Sequence, residues 1–229
     1  MAQAILPPNQ DPSELRRQGP VRWGYGEHVS VIGDTGSGKT FLISKLVQAR
    51  QYAIVLRTKP DDITFPGFTK RTKAKAMDNL QESRIILDPA YRHQREEIAM
   101  ALEKVWVQGG WTCAVDELLY IERLKLTKMV ERLLTQGRSK QISTVVGMQR
   151  PVAVTRFAIS QSTHVFCFQT EGRDIVTVAE ATTQQFGRAL LSLDHESHDF
   201  VYFNRRTRQV KVGNAKQLHE VISGTNGAY

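Results

Sequence analysis

From residue 28 onward, short apolar runs alternate with amphipathic stretches. The runs His28–Ile32, Tyr52–Leu56, Arg84–Leu87, Thr112–Val115, Ile142–Met148 and Thr163–Gln169 have the length and β-branched content of buried strands. Between them, Lys39–Gln48 carries Leu42, Ile43, Leu46 and Val47 on one side of a helix. Arg92–Val107 does the same with Ile98, Ala101, Leu102 and Val105, and Gly109 with Gly110 closes it. A third helix is predicted over Thr127–Gln136, capped by Thr127 and stopped by Gly137. Asp199–Asn204 and Gln209–Val212 read as a terminal hairpin turned by Arg205-Arg206-Thr207. Strands separated by helices imply crossover units, so the expected fold is α/β: a mostly parallel central sheet flanked by helices, with a C-terminal β-hairpin. Residues 1–20 read as an irregular arm, 21–222 as one domain and 223–229 as a flexible tail.

Composition narrows the class. No apolar run approaches the 18 or so residues that span a bilayer, and the N-terminus lacks the basic-then-apolar pattern of a secretion signal, so a soluble chain is expected. Cys113 and Cys167 sit inside apolar runs and read as core residues rather than a disulfide or metal site. Lysine and arginine number 31 against 23 acids, a net charge of +8 that favours a polyanionic partner.

The chemistry concentrates where the first strand meets the first helix. Gly33-Asp34-Thr35-Gly36-Ser37-Gly38-Lys39-Thr40 fits G-x-x-x-x-G-K-[ST]. Glycines let successive backbone N–H groups converge on one anion, and the helix adds its positive dipole end. Lys39 would reach the β- and γ-phosphates of a nucleotide, and Thr40 would hold Mg²⁺. A second signature is Thr112-Cys-Ala-Val115-Asp116-Glu117, an apolar strand ending in two carboxylates. Asp116 suits the outer shell of Mg²⁺, and Glu117 suits a general base that polarises the attacking water. That points to a hydrolase rather than a kinase, which needs a pocket for an acceptor hydroxyl. Thr58-Lys59-Pro60-Asp61 imitates a guanine-reading motif, but its place before the acid pair makes it a turn.

The segment Gly137-Arg138-Ser-Lys-Gln-Ile-Ser-Thr-Val-Val-Gly-Met-Gln149-Arg150-Pro151 resembles one found in the FtsK–HerA superfamily of DNA-pumping ATPases. The phosphate loop and the acid pair fit that superfamily in order, and the likeness runs from about Val29 to Gln169. It departs at Gln141, where glycine is usual, and at Gly147-Met148, where Ala-Thr is common. The resemblance implies a P-loop NTPase of the additional-strand, catalytic-glutamate type, with the Ile142–Met148 strand inserted between the phosphate-loop strand and the Asp116 strand. It places Gln149 beside the γ-phosphate as a sensor, and it makes Arg138 a candidate arginine finger for a neighbouring subunit, with Arg150 as competitor. It also implies ATP and Mg²⁺ as ligands, and a homo-oligomeric ring, usually of six subunits, around double-stranded DNA. The short flanks resemble the genome-packaging ATPases of tailless, membrane-containing viruses and phages. The expected setting is the host cytoplasm or the virion, with a capsid vertex or membrane component as a further partner. Protein export, pilus assembly, conjugative DNA transfer and a nucleotide-gated scaffold with little turnover stand as alternatives.

Three basic groups are candidates for DNA phosphates: Lys70, Arg71, Lys73 and Lys75; Arg123, Lys125 and Lys128; and Arg205, Arg206 and Arg208 at the hairpin tip. Trp23 and Tyr25 could stack on a base or simply pack. The His195/His198 pair has metal-capable side chains but no matching ligands elsewhere, and reads as surface.

Overall fold

A computed structural model describes residues 22–57, 65–79, 81–151, 156–170, 172–193 and 197–216. The predicted arm, the Thr58–Asp61 turn, His195 and the predicted tail lie outside these residues. Nine strands form one sheet: β1 Val29–Ile32, β2 Ala53–Leu56, β3 Thr69–Arg71, β4 Arg84–Leu87, β5 Thr112–Val115, β6 Ser143–Met148, β7 His164–Phe168, β8 Asp199–Asn204 and β9 Gln209–Asn214. Their order is β3-β4-β2-β5-β6-β1-β7-β8-β9. The first seven positions are parallel, and β8 and β9 are antiparallel.

The inserted strand is where the resemblance placed it. β6 pairs with β5 on one side (Ala114 opposite Val145) and with β1 on the other (Val31 opposite Gly147). Because β1, β2, β5, β6 and β7 are buried on both faces, they are predominantly apolar rather than alternating, with Ser30, Thr112, Ser143, Thr144 and His164 as buried polar members. Side chains still alternate between two cores. One core gathers Val29, Val31, Val55, Ala114 and Phe166 under helix α1, Lys39–Gln48. The other gathers Ile32, Leu56, Val115, Val146 and Cys167 under helices α2, Gln94–Gln108, and α4, Thr127–Gln136. Between these two helices in sequence lies the short α3, Leu118–Arg123. Cys113 and Cys167 are buried on non-adjacent strands, and burial raises both thiol pKa values, that of Cys113 to about 12.

Several expectations need correction. Leu126, not Thr127, occupies the N-cap of α4, and no side chain caps it. The helix does end at Gln136 with Gly137 as its C-cap, and a 3-10 turn, Gly137–Lys140, follows it and is closed by Gln141 at φ 57°. The usual glycine at position 141 is thus explained: the turn demands left-handed backbone, which costs a non-glycine residue about 1 kcal/mol. Lys70 and Arg71, read as part of a polar connection, form the edge strand β3. Its three side chains are mostly exposed, so no apolar alternation announced it. Helices α5 Phe157–Gln161, α6 Arg173–Ala181 and α7 Gln184–Leu191 went unmarked in the sequence reading.

Candidate active site

The C-terminal end of β1 opens into the glycine loop. Gly33 N–H donates to the Met148 carbonyl at 3.1 Å, tying the loop to the inserted strand. A Cβ at Gly33 would lie 2.7 Å from Phe168 Cβ, so only glycine fits there. Gly38 holds the N-cap of α1 at φ 107°, leaving the helix's first N–H groups facing the loop's hollow. Lys39 is buried and its ammonium donates to the Asp34 carbonyl at 2.6 Å, which folds the side chain back across the loop. The Ser37 hydroxyl is buried without a hydrogen-bond partner. An orphaned donor, a cation and convergent amides make a cradle that fits an anion such as a phosphate. The His198 ring lies 3.3 Å from the Ser37 carbonyl, so this histidine braces the loop. Among the described residues no group of three or more His, Cys, Asp or Glu side chains could hold a metal by themselves.

The acid pair lies two strands over, beyond β6. Thr40 hydroxyl donates to Asp116 Oδ1 at 3.3 Å, bridging the helix start and the end of β5. Asp116 and Glu117 are both nearly buried. A hydroxyl and a carboxylate so placed suit Mg²⁺, with Thr40 as a direct ligand and Asp116 through water. Glu117 holds the N-cap position of α3, yet its side chain caps no N–H there. Gly147 sits beneath this pair: a Cβ there would lie 2.1 Å from the Asp116 carbonyl oxygen. Glycine in place of the commoner alanine is therefore what lets the acid-bearing turn rest directly on β6. Gln149 follows β6 at the same end of the sheet, half-buried. Arg150 is exposed and bonded to the buried Asp174 at 2.9 Å.

Arg138 lies at the opposite end. Its backbone packs on Gly26, where a Cβ would meet the Arg138 carbonyl at 3.0 Å, and its charge acts on His28, which precedes β1. With about 3.3 Å per strand residue, Arg138 is on the order of 15 Å from its own phosphate loop. Trp23 and Tyr25 also lie at this end. They sandwich the buried Arg50, whose guanidinium is 3.7 Å from the Trp23 ring centre and 4.5 Å from that of Tyr25, so both aromatics pack rather than face a base.

A buried polar cluster here escaped the sequence reading. His164 bonds Glu27 at 2.9 Å and the Tyr202 hydroxyl at 2.8 Å, and Glu27 also pairs with Arg206 at 2.9 Å. Burial alone would raise the Glu27 pKa, but hydrogen bonds from His164 and Gly24 N–H and the nearby positive charges bring it down to about 2. His28 accepts from Thr144 N–H, and burial pushes its pKa down to about 4. The available signal was two ionisable residues, Glu27 and His28, directly before a fully buried strand.

The three basic groups fare differently. Lys70 pairs with Asp88, Arg71 with both oxygens of Glu82 and Lys73 with Glu97, leaving Lys75 exposed. Arg205 donates to the carbonyls of Ile159, Ser162 and Ala181, clamping two helix ends to the hairpin turn. Arg206 is engaged by Glu27, and Arg208 is exposed. Arg123, Lys125 and Lys128 are exposed, with no ion pair among the described residues.

The glycine cradle, the buried acid pair two strands away and the inserted strand between them define a P-loop NTPase of the catalytic-glutamate type. No family model matches the chain. Over 161 residues, 66% of this chain and 68% of its relative, the sequence is 33% identical to the DNA packaging ATPase P9 of Enterobacteria phage PRD1. Among solved structures, the fold is similar to that of the genome packaging NTPase B204 of Sulfolobus turreted icosahedral virus 2, solved with ATP-gammaS (TM-score 0.67, 15% identity, 86% of this chain and 98% of that one). The B204 of Sulfolobus turreted icosahedral virus gives a TM-score of 0.64 at 17% identity over 88% of this chain and 100% of that one. The cytoplasmic domain of the type VII secretion ATPase EccC of Thermomonospora curvata shares the fold more distantly (TM-score 0.54, 14% identity, 96% of this chain and 31% of that one). This chain belongs to the family of viral genome-packaging ATPases of the FtsK–HerA type that P9 represents.

Proposed function

We propose that this protein hydrolyses ATP to drive double-stranded DNA into a virus particle, acting as a homo-oligomeric ring. The observation that carries the proposal is the Thr40–Asp116 contact at 3.3 Å, which brings the acid pair against the phosphate loop. The loop amides and Lys39 hold the triphosphate, the lysine leaving the Asp34 carbonyl for the β- and γ-phosphates. Mg²⁺ held by Thr40 and Asp116 would neutralise charge building between those phosphates. Glu117 orients the attacking water and accepts its proton. Gln149, at the end of the neighbouring strand, reports whether the γ-phosphate is present. Arg138 completes the site of the adjacent subunit, which accounts for its distance from its own loop.

For the DNA contact, the Arg123–Lys128 group is the best supported. It follows Glu117 by one short helix and is not engaged in ion pairs among the described residues. Movement at the hydrolytic site therefore has a direct covalent route to it. The capsid vertex or membrane as docking partner and the sixfold ring come from the superfamily resemblance alone.

The test is phosphate release by the full chain with and without duplex DNA. Stimulation by duplex, weakened and made less salt-sensitive when Arg123, Lys125 and Lys128 are neutralised, supports the reading. Turnover stimulated by polypeptide and not by DNA would reassign the motor to protein export, and negligible turnover would make it a scaffold.

A further inference from the structure

We propose that the Phe41 ring is the platform on which the nucleobase stacks. The proposal rests on the nucleotide-binding reading above and adds to it the part of the ligand that the phosphate loop does not touch. Phe41 follows Thr40 directly, in the first turn of α1. The other large apolar residues of that helix, Leu42, Ile43, Leu46 and Val47, are at most 1% exposed, whereas Phe41 is 45% exposed. The core does not cover this ring, and its place one residue after Thr40 leaves it open to a ligand of the phosphate loop. Its recorded ring contact is the Lys45 ammonium, 5.4 Å from the ring centre, a solvated neighbour one helical turn on.

Geometry gives the occupant its orientation. The terminal phosphate points toward Thr40, Asp116 and Glu117, on the β5 side of the loop. The sugar and base therefore leave by another side, past the first-turn amides that lie beside Phe41. The other aromatics near the two ends of β1 are committed. Trp23 and Tyr25 clamp Arg50 at the far end of the sheet, and Phe168 is buried under Gly33 and Gly38. Tyr91 is exposed but follows β4, which three strands separate from β1. A bare phenyl ring stacks on any base and offers no hydrogen bond to tell one from another, so this platform binds purine nucleotides without choosing between them.

The test compares equilibrium binding of ATP, GTP and inorganic tripolyphosphate to the full chain and to Phe41→Ala and Phe41→Trp variants. Phe41→Ala should weaken ATP and GTP alike by about tenfold, which is about 1.4 kcal/mol, while tripolyphosphate binds as before. Phe41→Trp should hold both nucleotides at least as tightly as the parent. The proposal is overturned if Phe41→Ala binds ATP like the parent, or if tripolyphosphate weakens by the same factor. It is equally overturned if raising the protein concentration restores the lost affinity, which would place Phe41 at a subunit contact. A parent chain that binds neither ATP nor tripolyphosphate would instead overturn the nucleotide reading, and the stacking proposal with it.

Discussion

The two ends of the central sheet handle polar groups in opposite ways. At the N-terminal end, Glu27 bonds His164 and Arg206, His164 bonds the Tyr202 hydroxyl and His28 meets Thr144, so most of the buried polar groups there are joined to one another, the Trp23 indole nitrogen and Arg50 Nε being exceptions. At the C-terminal end, amides converge on a hollow, the Ser37 hydroxyl is orphaned and two carboxylates are nearly buried side by side. The first arrangement lowers the free energy of the folded chain. The second is costly without a ligand at the Ser37 hydroxyl, since a buried polar group lacking a partner loses solvation. The contrast teaches which end is chiefly structural and which awaits a substrate, and Arg138 is exposed at the structural end.

The contrast can be broken most severely at the acids. Glu117→Gln should reduce phosphate release by about 10⁴-fold while ATP binding persists; near-normal turnover would remove Glu117 from its role. Arg138→Ala should lower turnover by about 10³-fold without weakening ATP binding to the isolated subunit. Mixing inactive Glu117→Gln and Arg138→Ala subunits should restore some activity, because a mixed ring contains interfaces with both groups intact. No recovery in mixtures would count against a finger acting between copies. Gly147→Ala forces the Asp116 carbonyl away from β6 and should cost about 3 kcal/mol of stability, read by denaturant unfolding, with a fall in turnover as Glu117 moves.

The structural end should reveal itself through pH. His28 is held neutral with its pKa depressed to about 4 from 6.5, so the unfolded chain takes up this proton first as pH falls. Its contribution is complete above pH 6.5 and declines as pH drops toward 4, by about 3 kcal/mol. His28→Asn should flatten unfolding free energy across that window, leaving the lower loss between pH 4.5 and 2 that belongs to Glu27. The smallest effect is expected from Gln141→Gly, which relieves the left-handed backbone and should raise the melting temperature slightly, by up to about 1 kcal/mol of stability.

Legibility from sequence followed the same division. The boundaries of α1, β4, β5 and β8 agree with the reading residue for residue, because glycines, an acid pair or a change of hydrophobic period marks their ends. The phosphate loop and acid pair were visible as motifs, since their chemistry is local. The Glu27–His164–Tyr202 cluster was not, because it joins residues 137 and 38 positions apart that meet only once the strands pair. Helices α6 and α7 carried a signal that was passed over, with Phe186, Ala189 and Leu190 at helical spacing on one buried face. The roles of Arg205 and Arg206 were equally hidden: a run of cations looks alike whether it faces solvent or fastens helix ends.

The borders of the sheet carry a last consequence. Among the described residues, the outermost strands are β3 and β9, and each places a lysine within it, Lys70 and Lys211. Charged side chains on a rim discourage another copy from adding its own strand there. Such a rim disfavours strand-by-strand growth into fibres and leaves side-chain surfaces as the ready sites of association.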